Sequence, residues 1–260
     1  MTTPVAVRVW EGQIRTVWNA WRTSVALSMT QPFIFLAGMG FGVGALVDAG
    51  DGAQSSLGGL SYVQFLAPAL LATTAMMAGA FEAMWPVHDG FYWRRTFEAV
   101  AATPVSPRAV VNGLMLWWTT RVVVGVGGVA IALVVMPSTR SWGIIPAVVV
   151  SVLCGLGFAA PIASWTATRT SDTPFAALQR FVITPLFLFG GAFYPLTALP
   201  GAIRPVAWVT PLWHGVELCR SFTVGNSSPY GVYVHLGVLL AWCVAGYLAC
   251  LVTFDRRIRR

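Results

Sequence analysis

The sequence predicts an all-α integral membrane protein with six transmembrane helices, and three observations support this fold class. Of the 260 residues, 57% are hydrophobic and only 10% are charged, whereas soluble domains carry about 25% charged residues. Six apolar runs approach the ~20 residues that a helix needs to cross the hydrocarbon core. The arginines also concentrate in every second connecting segment, as expected of a chain that crosses a membrane repeatedly.

The six apolar runs define the predicted spans. In chain order they are Val25–Val47, Tyr62–Trp85, Leu114–Met136, Trp142–Thr168, Phe181–Leu196 and Val232–Phe254. The fifth run is short and contains Pro185 and the pair Gly190 and Gly191. A membrane helix tolerates such breaks where neighbouring helices satisfy the freed backbone groups. We expect the four cysteines to serve as small apolar residues of the spans.

The arginines predict that both termini lie in the cytoplasm. With that orientation twelve of the sixteen arginines lie in inner segments, while Arg140, Arg204 and Arg220 lie outside and Arg121 falls within a span. An excess of positive charge marks the cytoplasmic side. A basic chain can also bind nucleic acid. Here the arginines separate long apolar runs, so we expect no nucleic-acid partner.

Residues 5–22 are predicted to form an interfacial helix. Arg8, Arg15 and Arg22 share one face of such a helix. The opposite face holds apolar residues, namely Trp10, Ile14, Val17 and Trp21. An apolar face in the headgroups and a basic face in water are typical of a helix that lies in the membrane plane. The alternative is a soluble amphipathic helix packed on a partner.

Two further segments are not predicted to cross the membrane. Residues 88–107 form the longest inner loop, in which residues 91–103 can form a short helix before two prolines. This helix could press on a cytoplasmic partner, or the loop could be a solvated connector with an arginine pair that extends to water. Residues 195–230 are apolar but broken by five prolines. They are expected to form short re-entrant or interfacial helices at the outer leaflet.

The sequence carries no motif for catalysis. It contains no lysine, so a phosphate-binding loop of the GxxxxGKS or GxxxxGKT type is impossible and we expect no ATP-hydrolysing site in this chain. His88, His214 and His235 are scattered, and neither HExxH nor GxSxG occurs, so no metal, cofactor or catalytic residue is predicted. An intramembrane enzyme is disfavoured for the same reason.

Glu82 and Arg121 are the ionisable residues that fall within predicted spans. Such groups are candidates for function because each costs about 2.5–3.5 kcal/mol at the centre of a membrane helix. The two spans follow each other in the chain, so the groups could pair near the inner leaflet. Such a pair could stabilise a contact between helices, or it could take part in transport, and the structural role is favoured.

Three stretches carry a family resemblance. They are FLAPALLATTAMMAGAFEAMW at 65–85, RRTFEAVAATPVSPRAVVNG at 94–113 and PLFLFGGAFYPLTALPGAIRPVAWVTPLWHGVELCR at 185–220. In this order, on a six-span plan with an interfacial N-terminal helix, they resemble the type-2 ABC exporter permeases. Within that group they are most similar to permeases that export lipo-oligosaccharides of the nodulation-factor type. The likeness covers nearly the whole chain, and each motif alone is degenerate.

The resemblance implies a single permease domain, 1–260, in the bacterial plasma (inner) membrane. It implies a second permease, identical or related, and two cytoplasmic ABC ATPase subunits that bind ATP and Mg²⁺. The loop 88–107 would be the coupling helix. Its expected contacts with the ATPase are Phe91, Arg94, Arg95, Phe97 and Glu98. Phe189, Phe193 and Tyr194 are weaker candidates for lining the translocation path, since packing would explain them equally well.

The expected function is export of an amphiphilic molecule. The resemblance points to a glycolipid or a lipid-linked saccharide, while related permeases for hydrophobic drugs share the same plan. A different class of function is a membrane scaffold or assembly protein that transports nothing and needs no ATPase. Substitution of Arg94 or Arg95 would leave transport unaffected in that case.

Overall fold

The computed structural model describes residues 4–50, 57–201, 204–225 and 230–259, and in these ranges it contains helices and no strand. The α-helices are α1 (Val5–Val17), α2 (Trp21–Ala37), α3 (Gly44–Asp48), α4 (Tyr62–His88), α5 (Thr96–Ala101), α6 (Pro107–Val135), α7 (Ile144–Thr166), α8 (Thr173–Leu178), α9 (Thr184–Phe189), α10 (Arg204–Val209), α11 (Pro211–Val224) and α12 (Val232–Ile258). Wider π-helical turns span Gly38–Val43, Asp89–Trp93 and Gln179–Ile183, and narrower 3₁₀ turns span Trp18–Ala20 and Leu196–Ala198.

Four helices are long and apolar enough to cross a membrane. They are α4 with its π-helical extension, α6, α7 and α12, and their mean hydropathy lies between 1.4 and 2.2. They coincide with the second, third, fourth and sixth predicted spans. The segments Phe33–Asp48 and Thr173–Phe189 are shorter apolar helices. The chain is therefore a helical integral membrane protein, while the six-span count and the orientation stay predictions.

The fifth predicted span, Phe181–Leu196, has different bounds in the structure. The helical segment begins earlier, at Thr173, and ends at Phe189. Gly191 follows with φ +80°, a left-handed conformation that ends the helix and that glycine adopts without steric cost. The predicted end was wrong because hydropathy continues through residues whose backbone is no longer helical.

The loop between the second and third spans is shorter than predicted. Ser106 caps α6 by accepting a hydrogen bond from the Ala109 amide at 3.3 Å, and Pro107 occupies the first turn. Both features favour a helix start. The third span therefore begins at Pro107 rather than Leu114. Within the loop, α5 covers only Thr96–Ala101 instead of 91–103.

The bundle is organised around the crossing of α4 and α7. Gly79 of α4 faces Gly155 of α7, and a Cβ atom on Gly79 would collide with the Gly155 carbonyl oxygen. Small residues let two membrane helices approach backbone to backbone, where van der Waals packing replaces the missing hydrophobic drive. Helix α7 also packs along α12, and α6 packs on α4. The buried core lies between these four helices.

Helix α1 packs against the helical bundle. It packs on α6, and the Trp10 Nε1 atom donates a hydrogen bond to Thr120 Oγ1 at 3.0 Å. Trp10, Ile14 and Val17 are the apolar residues that contact the core. The predicted apolar face therefore packs on the protein's own third span. The predicted range 5–22 is divided, because α1 ends at Val17 and α2 begins at Trp21.

The predicted outer hairpin contains α10 and α11, and α11 packs against α4, α7 and α12. Its residues from Pro211 to Arg220 are mostly buried. Its re-entrant position at the outer leaflet stays a prediction. Residues 226–229, which include Pro229 of the predicted hairpin, lie outside the described residues, as does Arg260 of the predicted inner set.

Candidate functional site: an amphipathic cavity and the segment beside it

A cavity of about 630 Å³ opens between α2, α4, α6 and the helical segment Thr173–Phe189. It lies toward the end of the bundle that carries α5, since α4 lines it as far as Trp85. Aromatic side chains form much of its wall, namely Phe35, Phe81, Trp85, Phe175 and Phe187. Cavities of ~300–1,000 Å³ with mostly apolar walls and a few polar groups are typical of small-molecule sites.

Glu82 and Arg121 meet in this wall. Their side chains form an ion pair, with 2.7 Å between Arg121 Nε and Glu82 Oε1. Trp117 Nε1 donates a second hydrogen bond to Glu82 Oε2 at 3.0 Å. The Glu82 side chain is 8% exposed and the Arg121 side chain is 21% exposed. Both carboxylate oxygens therefore have donors within the protein, and the two charges of the pair offset each other.

Arg180 is the other charged residue among the described residues that line the cavity. It lies on the π-helical turn that joins α8 to α9, and its side chain is exposed. In the part of the chain that the structure describes, its guanidinium makes no ion pair or hydrogen bond. Its charge is therefore not offset in the lining, and the cavity carries a net positive charge that sequence reasoning did not single out.

The segment from Asp89 to Ala101 presents charged and aromatic side chains to solvent. Arg94 pairs with Asp89 at 2.9 Å, and Arg95 lies 3.9 Å from Glu98. Arg94, Arg95 and Glu98 are each more than 60% exposed. Arg95 also has φ +52°, a left-handed conformation that is uncommon for a residue other than glycine. This turn separates the π-helical turn from α5.

Phe91 and Phe97 were predicted to face an ATPase, but the structure places both rings inside the chain. They lie 4.5 Å apart, and both contact Phe254 of α12, at 5.1 and 5.8 Å between ring centroids. A Cβ atom on Gly90 would collide with the Phe97 ring, so this packing requires glycine there. The two rings anchor the segment to α12, and their contact with a partner stays a prediction.

Tyr92 and Trp93 take the exposed positions that were expected for Phe91 and Phe97. They are 49% and 55% exposed. The segment carries four aromatic residues, Phe91, Tyr92, Trp93 and Phe97, and the helical phase of the π-turn decides which of the first three point outward. No sequence signal separates the two pairs, because all four are large aromatic residues on one short segment.

His88 connects this segment to the cavity. Its ring lies 5.3 Å from Tyr92, 5.4 Å from Trp93 and 5.1 Å from Phe175, all between ring centroids. Phe175 in turn lies 5.4 Å from Trp85, and both line the cavity. Exposed aromatic residues at the α5 end are therefore in continuous contact with the cavity wall through one buried histidine.

The three predicted path residues lie near α9 and the turn after it. Phe193 packs on Phe35 and Phe187, at 5.7 and 5.1 Å between ring centroids. Those two rings line the cavity, so Phe193 supports its wall from behind. Phe189 is 38% exposed and Tyr194 is half-buried, and neither lines the cavity.

Arg220 was predicted to lie on the outer side, and the structure buries it to 2% exposure. Its guanidinium donates to the carbonyl oxygens of Phe65 and Ala192, at 3.0 and 2.8 Å, and lies 3.6 Å above the Phe65 ring. Glu217 lies 3.5 Å away on the same helix.

Two histidines that are far apart in sequence also meet at this end of the bundle. His214 of α11 and His235 of α12 have their Nδ1 atoms 2.8 Å apart, and His214 Nε2 lies 2.7 Å from the Trp208 carbonyl oxygen. Within the described ranges no cluster of three potential metal ligands occurs. The pair therefore ties α11 to α10 and α12, in a region with no catalytic constellation.

Long apolar helices around an amphipathic cavity define a helical integral membrane protein of the transporter class. The chain belongs to the ABC-2 type transporter family, whose sequence model matches residues 7–223. Membership implies embedding in a membrane and partnership with an ABC ATPase. The relatives are transport components and not catalytic ones.

The comparisons include permease relatives of similar length. The chain is 30% identical to Nodulation protein J of Rhizobium leguminosarum bv. viciae, over 100% of this chain and 98% of the relative. It is 29% identical to Nodulation protein J of Rhizobium meliloti, over 96% and 94%. It is 26% identical to the inner membrane transport permease YadH of Escherichia coli, over 95% and 93%. These matches confirm the family resemblance carried by the three sequence motifs.

Proposed function

We propose that this chain is the permease subunit of an ABC exporter in a bacterial inner membrane, where it forms the path for an amphiphilic substrate. The observation that carries the proposal is the contact chain from exposed Tyr92 and Trp93, through His88 and Phe175, to the cavity wall. An energy-supplying partner at the α5 end would thereby act on a binding region inside the bundle.

The cavity suits an amphiphile because its wall combines two kinds of surface. Apolar side chains, many of them aromatic, form most of it, and Glu82, Arg121 and Arg180 supply its charged groups. A lipid-like tail would pack on the rings and a polar head would lie near the charged groups. A glycolipid, a lipid-linked saccharide and a hydrophobic drug all share this division.

The α5 segment suits a docking role because buried aromatic rings anchor it to α12, while its exposed side chains are both aromatic and charged. Phe91, Phe97 and Phe254 hold it on α12. Tyr92 and Trp93 would fill a groove of the partner, and Arg94, Arg95 and Glu98 would set its register by complementary charge. In this arrangement Phe91 and Phe97 act as supports that transmit the contact.

In the complex, two ATPase subunits bind ATP and Mg²⁺ and close together, and the closure rocks the permease helices between two packed states. A second copy of the chain, or a related permease, completes the path. Six spans with both termini in the cytoplasm place α5 on the ATPase side, as the arginine distribution predicts. The permease names of the relatives support export-type transport, and the nodulation relatives favour a saccharide-bearing lipid.

The competing function is a scaffold or assembly protein that transports nothing. Native mass measurement of the tagged chain, purified in mild detergent from its host, separates the two. The exporter predicts recovery with two copies of a soluble nucleotide-binding subunit. Recovery of the chain alone under every gentle condition would favour the scaffold.

The docking role is tested in the same preparation. Arg95→Glu leaves the Arg94–Asp89 pair intact, while the double change Arg94→Glu and Arg95→Glu also breaks that pair and takes the net charge of Asp89–Ala101 from 0 to −4. We expect the single change to weaken ATPase recovery and the double change to abolish it. Arg169→Glu is the matched control, because Arg169 lies outside the α5 segment and stacks on Trp165. Full recovery with the double variant would exclude α5 as the docking segment.

A further inference from the structure

The cavity offers an anion site but no comparable site for a cation. Glu82 is the carboxylate among the described lining residues, and Arg121 and Trp117 already occupy both of its oxygens. A cationic head would have to break the 2.7 Å ion pair before it could bind there. Leaving Arg121 without that partner in a low-dielectric wall would cost more than the new contact supplies.

Arg180 provides what Glu82 cannot. Its exposed guanidinium lines the same cavity, and its charge is not offset by a carboxylate in the part of the lining that the structure describes. A guanidinium presents donors in a planar fork that matches phosphate, sulfate and carboxylate groups. Low-dielectric aromatic walls around it focus its field on whatever enters the cavity.

We infer that the cavity selects amphiphiles with an anionic head, and that Arg180 binds the phosphate, sulfate or carboxylate of that head while the aromatic wall holds the tail. The inference rests on the proposed export function and names its substrate class. Arg180 lies five residues beyond Phe175 and lines the same cavity, so head recognition shares a wall with the ring that contacts His88. A bound head would thus be sensed by the wall that the α5 segment contacts.

The binding test uses two lipids with the same acyl chain. Lysophosphatidylglycerol has an anionic phosphate in its head, and the matching monoacylglycerol has an uncharged head without a phosphate. The purified chain, in neutral detergent, is titrated with each while its thermal unfolding midpoint is followed, because a ligand that binds the folded state raises that midpoint. We expect lysophosphatidylglycerol to stabilise the wild-type chain at roughly tenfold lower concentration than the monoacylglycerol, as a charge-assisted hydrogen bond predicts.

Three variants identify Arg180 as the source of the preference. Arg180→Gln should abolish the difference between the two lipids, and Arg180→Lys should keep part of it, since lysine retains the charge but not the fork. Arg169→Gln is the control, because Arg169 is a half-buried arginine that stacks on Trp165 and does not line the cavity. Equal shifts by the two lipids, or a preference that survives Arg180→Gln, would overturn the inference.

A transport measurement distinguishes an exported substrate from a resident lipid. Proteoliposomes with the complete complex are loaded with fluorescent lysophosphatidylglycerol, and its ATP-dependent movement between leaflets is measured. Movement that Arg180→Gln slows roughly tenfold supports the substrate assignment. Arg180-dependent binding without ATP-driven movement identifies a resident lipid and overturns it.

The two proposals can fail separately. A complex that retains its ATPase and moves neutral amphiphiles, but shows no Arg180-dependent preference, contradicts the charge selection alone. A chain that recruits no ATPase under any gentle condition contradicts the exporter. In that event the lysolipid titration still decides whether Arg180 selects anionic heads.

Discussion

The two ends of the helical bundle differ in how they hold their arginine side chains. At the α11 end, Arg220 is closed in, with carbonyl oxygens of Phe65 and Ala192 as partners and an aromatic ring beneath it. At the α5 end, Arg121 lines an open cavity with Glu82, and Arg180 of the same cavity is exposed. At the α11 end the arginine holds helices together, and at the α5 end arginine charge remains accessible from the cavity.

The difference separates a rigid end from an end that can respond to ligands. Each backbone carbonyl that Arg220 satisfies belongs to a different segment, so that one side chain joins α4, the turn after α9, and α11. The Glu82–Arg121 pair joins only two helices that are already neighbours. We expect substitutions at the α11 end to act on folding, and substitutions at the cavity to act increasingly on binding.

The largest effect is expected for Arg220→Met. The change leaves two buried carbonyl oxygens without a donor and Glu217 without its neighbouring charge, so the free energy of unfolding should fall by about 3–5 kcal/mol. The readout is the yield of monodisperse protein and its thermal midpoint in detergent. Arg204→Met is the control, because Arg204 also donates to two carbonyl oxygens, those of Leu199 and Thr197, but is less buried. Equal losses for both variants would contradict the role of burial.

A smaller effect is expected at the ion pair. Glu82→Gln or Arg121→Gln each leaves one charge without its partner, and each should cost about 3 kcal/mol. The double variant should cost clearly less than the two losses combined, because residues in direct contact are not additive. A double-mutant cycle of unfolding free energies measures the coupling. Additive losses would show that the 2.7 Å contact carries no net coupling.

At the α5 anchor the expected effect is local. Phe97→Leu keeps an apolar side chain but loses two aromatic contacts, with Phe91 and Phe254, and should destabilise α5 by about 1 kcal/mol. Hydrogen exchange of residues 96–101 should accelerate while the global thermal midpoint changes little. ATPase recovery should fall with it. Phe81→Leu, in the cavity wall, is the control, and faster exchange of α5 in that variant would contradict the anchor.

The smallest effect on stability is expected for Arg180→Gln. An exposed side chain that makes no ion pair among the described residues should change the free energy of unfolding by less than about 0.5 kcal/mol. The preference for an anionic lysolipid should nevertheless disappear. A large loss of stability would place Arg180 with Arg220 as a structural residue and would remove the contrast between the two ends.

Much of the fold could be predicted from local sequence. Hydropathy located the four long spans, and the serine-proline pair at Ser106 and Pro107 marks where α6 starts once its cap is recognised. The start and end of the fifth helix could not be predicted in the same way. Gly191 ends that helix through its backbone conformation, while the apolar composition continues past it.

The charged residues of the site could be predicted from the sequence, but the spatial arrangement of its side chains could not. Glu82 and Arg121 stand out as charges within apolar runs, and their pairing follows from the adjacency of two helices. The inward position of Phe91 and Phe97 could not be derived, because it depends on a π-helical turn and on Phe254, which lies more than a hundred residues away. The burial of Arg220 could not be derived for the same reason, since its partners lie on α4 and beyond α9.

The sequence by itself determined that the protein is a helical membrane permease without a phosphate-binding loop, because hydropathy, arginine placement and the absence of lysine are properties of the chain read in order. Tertiary structure alone decided which arginine is enclosed, which aromatic residues face outward and which charges share a cavity. Those outcomes depend on the rotation of each helix about its axis and on contacts between distant segments. Packing sets both, and no local pattern encodes them.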